Sequence, residues 1–280
     1  MFGSGVRYEG IVSASMGAIP GNIETDQQPP MTVPLRHFVI GLIFLVTGIG
    51  LGIGLHLNIV PGLGRLAHVH LLLAGWICIT IMGAMTQFVP VWSGATLYSR
   101  CLANVQLGLV VAGLTGFIGA FLLLETTWLI PFGALMLVGF WTFAYNIIRT
   151  FGAVEEYDVT ERHFLGALGF FLVLTVLGVL LVIDYTVPVF SQFEVSRTGV
   201  VGAHATLAVF GAVLTTVYGA LYQLGTMFTQ TELHGIDNRL RAAEEVAHPT
   251  GVVLLATGRL VGNAPTAWIG SLLILFAASS

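Results

Sequence analysis

Apolar residues run along this chain in long blocks, not at the spacing of an amphipathic surface helix. Blocks of about 20 apolar residues, the length that crosses a bilayer as a helix, fall at 36–59, 66–91, 102–124, 127–149, 163–184 and 200–225. The pattern breaks at 230–245 (QTELHGIDNRLRAAEE), which is polar and charged. A short apolar stretch follows at 246–262, is interrupted by Asn263 and Pro265, and resumes over 266–280. Read as two short helices, these last stretches bring the total to eight. Read as one broken helix, they bring it to seven.

The pattern also repeats. Residues 67–87 read AHVHLLLAGWICITIMGAMTQ and residues 203–223 read AHATLAVFGAVLTTVYGALYQ. Without gaps, Ala67, His68, Leu71, Gly75, Thr80, Gly83, Ala84 and Gln87 fall on Ala203, His204, Leu207, Gly211, Thr216, Gly219, Ala220 and Gln223. Arg36-His37-Phe38 opens the first block and Arg162-His163-Phe164 opens the fifth. Weaker likenesses join 105–113 to 248–256 and Trp128 to Trp268. The expected fold is therefore all-α: a polytopic membrane protein of about eight transmembrane helices, built as two parallel four-helix repeats over about 36–150 and 162–280. A polar, proline-bearing N-terminal tail over 1–33 is expected to be disordered. It shows no signal-peptide pattern, and Met31 is an alternative start.

Composition narrows the class. The chain has 280 residues, of which 56% are hydrophobic and 9% charged, and a mean hydropathy of +0.91. These values describe an integral membrane protein with lipid as its first partner. A net charge of −4 without a basic run points away from nucleic acid. Cys78 and Cys101 have neither metal-type spacing nor a plausible disulfide relation. Arginines count toward one side: Arg7, Arg36, Arg100, Arg149, Arg162, Arg239 and Arg241 against Arg65, Arg197 and Arg259. The positive-inside bias places both termini in the cytoplasm of a multi-pass plasma-membrane protein.

Histidines carry the candidate chemistry, because ionisable groups inside a membrane are costly and usually functional. His68, His70 and His204 sit about one turn inside the outer ends of their helices, with His56 near the outer end of the first. At about 100° per residue, Gly75 lies nearly below His68, and Gly211 repeats this below His204. Small residues there leave a slot for a flat macrocycle or for a neighbouring helix. The expected site is a haem between His68 and His204, with His70, Gly75 and Gly211 beside it. His37, His163, His234 and His248 read as polar residues at a wet boundary.

On these residues the chain resembles the haem-copper oxidase subunit I superfamily, nearest its nitric oxide reductase and cbb3-type branches. The segment HVHLLLAGWICITIMGAMTQFVP is similar to that family's second helix, and AHATLAVFGAVLTTVYGALYQ to its helix with an H-x-H-L-A-x-F-G pattern. The resemblance implies a haem b, with His68 and His204 as axial ligands, in respiratory electron transfer or diatomic-gas redox chemistry. It also implies a quinol or protein electron donor and a partner subunit. Three departures bear on that implication. Thr206 stands where the family has its second histidine. No His-His pair or H-P-E-V-Y-type copper motif occurs. Eight predicted helices compare with the family's twelve. Oxidoreductase catalysis is accordingly an open expectation. His56 and His70 remain candidate ligands of a second haem or a copper ion. Other readings are a nitric-oxide-response haem and copper protein, a cofactor-free transporter, and a membrane scaffold.

Overall fold

The computed structural model describes residues 29–230 and 234–279; the tail expected over 1–33 lies almost wholly outside them. Among the described residues all regular structure is helical: α1 Thr32–His56, α2 Gly64–Ser93, α3 Arg100–Leu123, α4 Thr126–Phe151, α5 Val159–Ile183, α6 Arg197–Thr229, α7 Ile236–Leu260 and α8 Ala264–Ser279. A short 3₁₀ turn, Phe190–Phe193, precedes α6. The protein is a helical, multi-pass membrane protein.

Six helices, α1 to α6, are long and apolar enough to cross a membrane. Eight spans were expected from the apolar blocks, and the last two differ for physical reasons. α8 has 16 residues. α7 starts ten residues before its apolar stretch, at Ile236, and its first half carries Asp237, Arg239, Arg241, Glu244 and Glu245. That polar half is helical because its charged groups find partners on α5: Arg162 pairs with Glu245 at 2.7 Å and His163 with Glu244 at 3.0 Å. The seven-helix reading fails at Gly262, whose φ of +70° separates α7 from α8.

Local chemistry fixes the helix ends. Ser99 and Ser196 accept hydrogen bonds from the backbone N–H of Leu102 and Gly199, capping α3 and α6. Asp158 and Glu161 form a reciprocal capping box on α5. The buried Asn146 amide accepts from the N–H of Ser99 and donates to its carbonyl, each at 2.9 Å, which ties the α2–α3 connection to α4. Gly62 has a φ of +63°, and a Cβ there would run into the carbonyls of Phe121 and Leu122.

Glycines set how closely helices approach. A Cβ on Gly113 would lie 2.7 Å from the Met136 nitrogen, and one on Gly251 would lie 2.9 Å from the Gly270 oxygen. α3 thus packs tightly on α4, and α7 on α8. α1 leans on α2, and α5 on α6. The two halves meet where α4 packs on α5. Phe140 and Phe143 stand edge-on to Phe171, and the Trp141 indole N–H donates to Thr175 Oγ1 at 3.0 Å.

Two wide π-turns interrupt the long helices, Leu71–Cys78 in α2 and Leu207–Leu214 in α6. Each directly follows the histidine-bearing turn, and they lie 136 residues apart, the same offset as the sequence likeness. π-turns are uncommon and concentrate near functional sites.

Candidate functional site

A cavity of about 220 Å³ lies between α2, α3, α4, α5 and α6, at the end of the bundle where α2 and α6 begin. Its wall is overwhelmingly apolar, from Leu66 and Ala74 on α2 through Phe117, Met136 and Phe140 to Leu174, Val182 and Ala208. Two imidazoles interrupt it, His70 from α2 and His204 from α6. Gly133 and Gly178 reach the same wall without side chains of their own.

Both rings are held the same way. His70 Nδ1 lies 2.8 Å from the Leu66 carbonyl oxygen, one turn back on its own helix. His204 Nδ1 lies 2.9 Å from the Leu174 carbonyl oxygen on α5. A carbonyl only accepts, so each Nδ1 carries the proton and each neutral ring keeps a bare Nε2. Among the described residues neither Nε2 has a hydrogen-bond partner. A backbone oxygen that fixes one ring nitrogen and frees the other is how proteins orient a ligating histidine. The His70 ring also rests against Phe117 and Phe121, 5.4 Å from each ring centre.

His68 goes elsewhere. Its Nδ1 donates to the Gly48 carbonyl at 2.9 Å, and its ring lies over Gly52, both on α1. It does not line the cavity. This arrangement matches His204, which donates to Leu174 and lies over Gly178. Leu174 and Gly178 stand 126 residues after Gly48 and Gly52. The pair expected to share a ligand, His68 and His204, therefore packs on two different helices, and the cavity brings His204 together with His70 instead. Gly75 and Gly211 meet rings, not open space: a Cβ on either would lie 2.8 or 2.9 Å from Phe44 or Phe170. His56 is exposed at the end of α1, away from the cavity wall. Thr206 is buried and accepts from Arg259 at 3.0 Å. No group of three or more His, Cys, Asp or Glu side chains suited to a metal ion occurs among the described residues.

A second polar cluster sits at the opposite end, between α5, α6 and α7. The histidines expected at a wet boundary, His163 and His248, are buried there; His234 is exposed. His163 Nδ1 donates to the Val159 carbonyl at 2.7 Å, and its Nε2 lies 3.0 Å from Glu244 Oε2. The Tyr222 hydroxyl donates to the same oxygen at 3.1 Å. His248 Nε2 lies 2.9 Å from Thr215 Oγ1 and 3.1 Å from the Phe210 carbonyl. The signal was present in the sequence as i, i+4 pairs, Tyr218 with Tyr222 and Glu244 with His248, which share helix faces. The polar and charged composition of 230–245 hid it by interrupting the apolar pattern.

No protein-family model matches this chain, and neither a curated protein nor a solved structure matches it.

Proposed function

We propose that this cavity binds a b-type haem, which His70 and His204 would hold, and that the protein carries electrons within the membrane. One observation carries this reading: two imidazoles with bare Nε2 atoms stand on the wall of a single apolar cavity. The donor set fits the group, since neutral imidazoles on apolar walls are what a low-spin haem iron takes. A bound haem would supply reversible one-electron chemistry, tuned by the imidazoles that hold it and by the dryness of the pocket.

The residues of the chain do the rest. The Leu66 and Leu174 carbonyls hold the two ring planes and raise the donor strength of Nε2. Phe117 and Phe121 brace His70, and Phe140 and Phe171 help to exclude water. Gly178 leaves room for the His204 ring itself. Electron donors compatible with such a site are a quinol in the lipid or a partner protein.

The same reading takes the chain as two parallel repeats, α1–α4 and α5–α8, in the plasma membrane with the N-terminus cytoplasmic and α7–α8 completing the second unit. Its support is the set of matched contacts: His68 and His204 on carbonyls 126 residues apart, and Gly75 and Gly211 on Phe44 and Phe170 at the same spacing.

The test is a reduced-minus-oxidised optical spectrum of the full chain purified from haem-replete cells. A b-type α-band is expected. It disappears in His70→Ala and His204→Ala and persists in His68→Ala. A colourless wild-type protein ends the haem reading and leaves a cofactor-free carrier or scaffold. Loss in His68→Ala with retention in His70→Ala restores the ligand pair expected from the sequence.

A further inference from the structure

The cluster at the far end of the bundle has a chemistry of its own, which holds whether or not the cavity takes a haem. His163 and Glu244 are both almost fully buried, 6% and 4% exposed, inside a protein whose surface faces lipid. Their contact places His163 Nε2 3.0 Å from Oε2 and 3.3 Å from Oε1 of Glu244. A proton must lie between such atoms. It sits on nitrogen, giving imidazolium and carboxylate, or on oxygen, giving imidazole and carboxylic acid, and the heavy atoms need not move between the two. Tyr222 donates to the same carboxylate oxygen.

Next to this pair stands an open acceptor. His248 is fully buried, and its Nε2 faces the Phe210 carbonyl, so Nε2 holds the proton and Nδ1 is bare. Among the described residues that Nδ1 has no partner, and neither has the buried hydroxyl of Tyr218, whose ring lies 4.9 Å from the His248 ring. Buried polar atoms without partners are expensive, and each asks for an explanation.

The rim reaches water within one residue. Arg162 and Glu245, the immediate neighbours of His163 and Glu244, form an ion pair at 2.7 Å that is partly exposed. Arg241, whose buried Nε has no partner among the described residues, also lies on α7 near the cluster, and Glu161 is a further buried carboxyl on α5.

The first half of the chain supplies an internal control. His37 occupies the position of His163: its Nδ1 donates to the carbonyl four residues back, Val33, at 2.9 Å, and its Cβ abuts Gly83 as that of His163 abuts Gly219. His37 is fully buried, and among the described residues its Nε2 has no partner. At the offset of 136 residues, Tyr218 and Tyr222 fall on Met82 and Thr86. Packing a histidine at this position therefore requires neither an acid nor a tyrosine.

We propose that His163, Glu244 and Tyr222 form a proton-exchange site, with His248 as a second seat, loaded from the aqueous phase at the end of the bundle where α3 and α5 begin. On loading, one proton from the aqueous phase adds to the pair, giving a His163 imidazolium beside a Glu244 carboxylic acid, while Tyr222 keeps its own proton and stays neutral. On release the extra proton returns to water and the shared proton remains between Nε2 and Oε2.

Infrared difference spectroscopy of the full chain in lipid nanodiscs, stepped from alkaline to acid pH, reads this directly. The expected result is a carboxylic C=O band of a buried acid that shifts promptly in D2O. Glu244→Gln abolishes it, and Tyr222→Phe moves its midpoint to higher pH because the carboxylate loses a donor. His37→Ala leaves it unchanged. Absence of the band in the wild type overturns the proposal. So does a band that survives Glu244→Gln, which then belongs to Glu161, or one that does not exchange with D2O. The wild-type spectrum and the Tyr222→Phe shift decide the matter even if Glu244→Gln does not fold.

Discussion

A single methyl group separates the two kinds of glycine in this protein. Gly75 faces Phe44, and an added Cβ would meet that side chain at 2.8 Å. Gly119 has open space beside it. Gly75→Ala is expected to cost about 1–3 kcal/mol through overpacking, lowering the thermal midpoint, whereas Gly119→Ala leaves it unchanged or slightly raised; equal midpoints would refute the contact. Asp184 is a different case, at the end of α5. It accepts from the Phe190 N–H at 3.1 Å and from Arg197 at 2.7 Å, and Arg197 also lies 4.1 Å over the Tyr185 ring. The Phe190 N–H first, and then the Arg197 guanidinium, hold this carboxyl below its ordinary value. A carboxyl more acidic when folded adds stability above its unfolded pKa and loses it as pH falls through the folded one. Acidification should therefore lower the wild-type thermal midpoint more than that of Asp184→Asn. Identical acid profiles would show that the ion pair contributes nothing.

At the scale of the element, α5 connects both candidate sites. Its first turn is held by the Asp158 and Glu161 capping box, His163 follows one turn later, and Leu174 and Gly178 position His204 near its other end. Asp158→Ala is expected to cost about 1 kcal/mol, seen as a lower thermal midpoint. Glu161 loses the partner that orients it, while the absorption proposed for the cavity keeps its shape, since His204 lies at the far end. The faces of α2 and α6 follow the same logic. Counting at about 100° per residue sets Gly75 below His68 and Gly211 below His204, and each pair does share a face, turned to α1 in the first case and to α5 in the second. The space beside each glycine is filled by Phe44 or Phe170 of that neighbouring helix, so it serves helix packing and leaves no ligand slot.

For the whole molecule, the division of labour runs along the bundle axis. The apolar cavity with His70 and His204 occupies one end, and the His163, Glu244 and Tyr222 cluster the other. Orientation in the membrane decides which end meets which compartment. Cys101, in the first turn of α3, is exposed, whereas Cys78 is partly buried. With the N-terminus cytoplasmic, a membrane-impermeant maleimide should leave Cys101 unlabelled in intact cells and label it in inverted vesicles. The reverse pattern would invert the topology and place the proton-exchange end outside.

The sequence by itself determined that this is a multi-pass helical membrane protein, where its six apolar spans lie, and that the histidine-bearing segments 67–87 and 203–223 correspond. These follow from local properties: the length an apolar block needs to cross a bilayer, and residue-by-residue likeness. Only the tertiary structure decided that His204 shares a cavity with His70 and that His68 turns to α1. Which imidazoles converge depends on helix rotation and on which neighbour supplies the carbonyl, and no spacing rule encodes either. The same holds for Glu244, which is one charge in a polar stretch until α7 lays it against His163, 81 residues away. Burial of a charged residue is set by its distant partners, and they are visible only once the helices are packed.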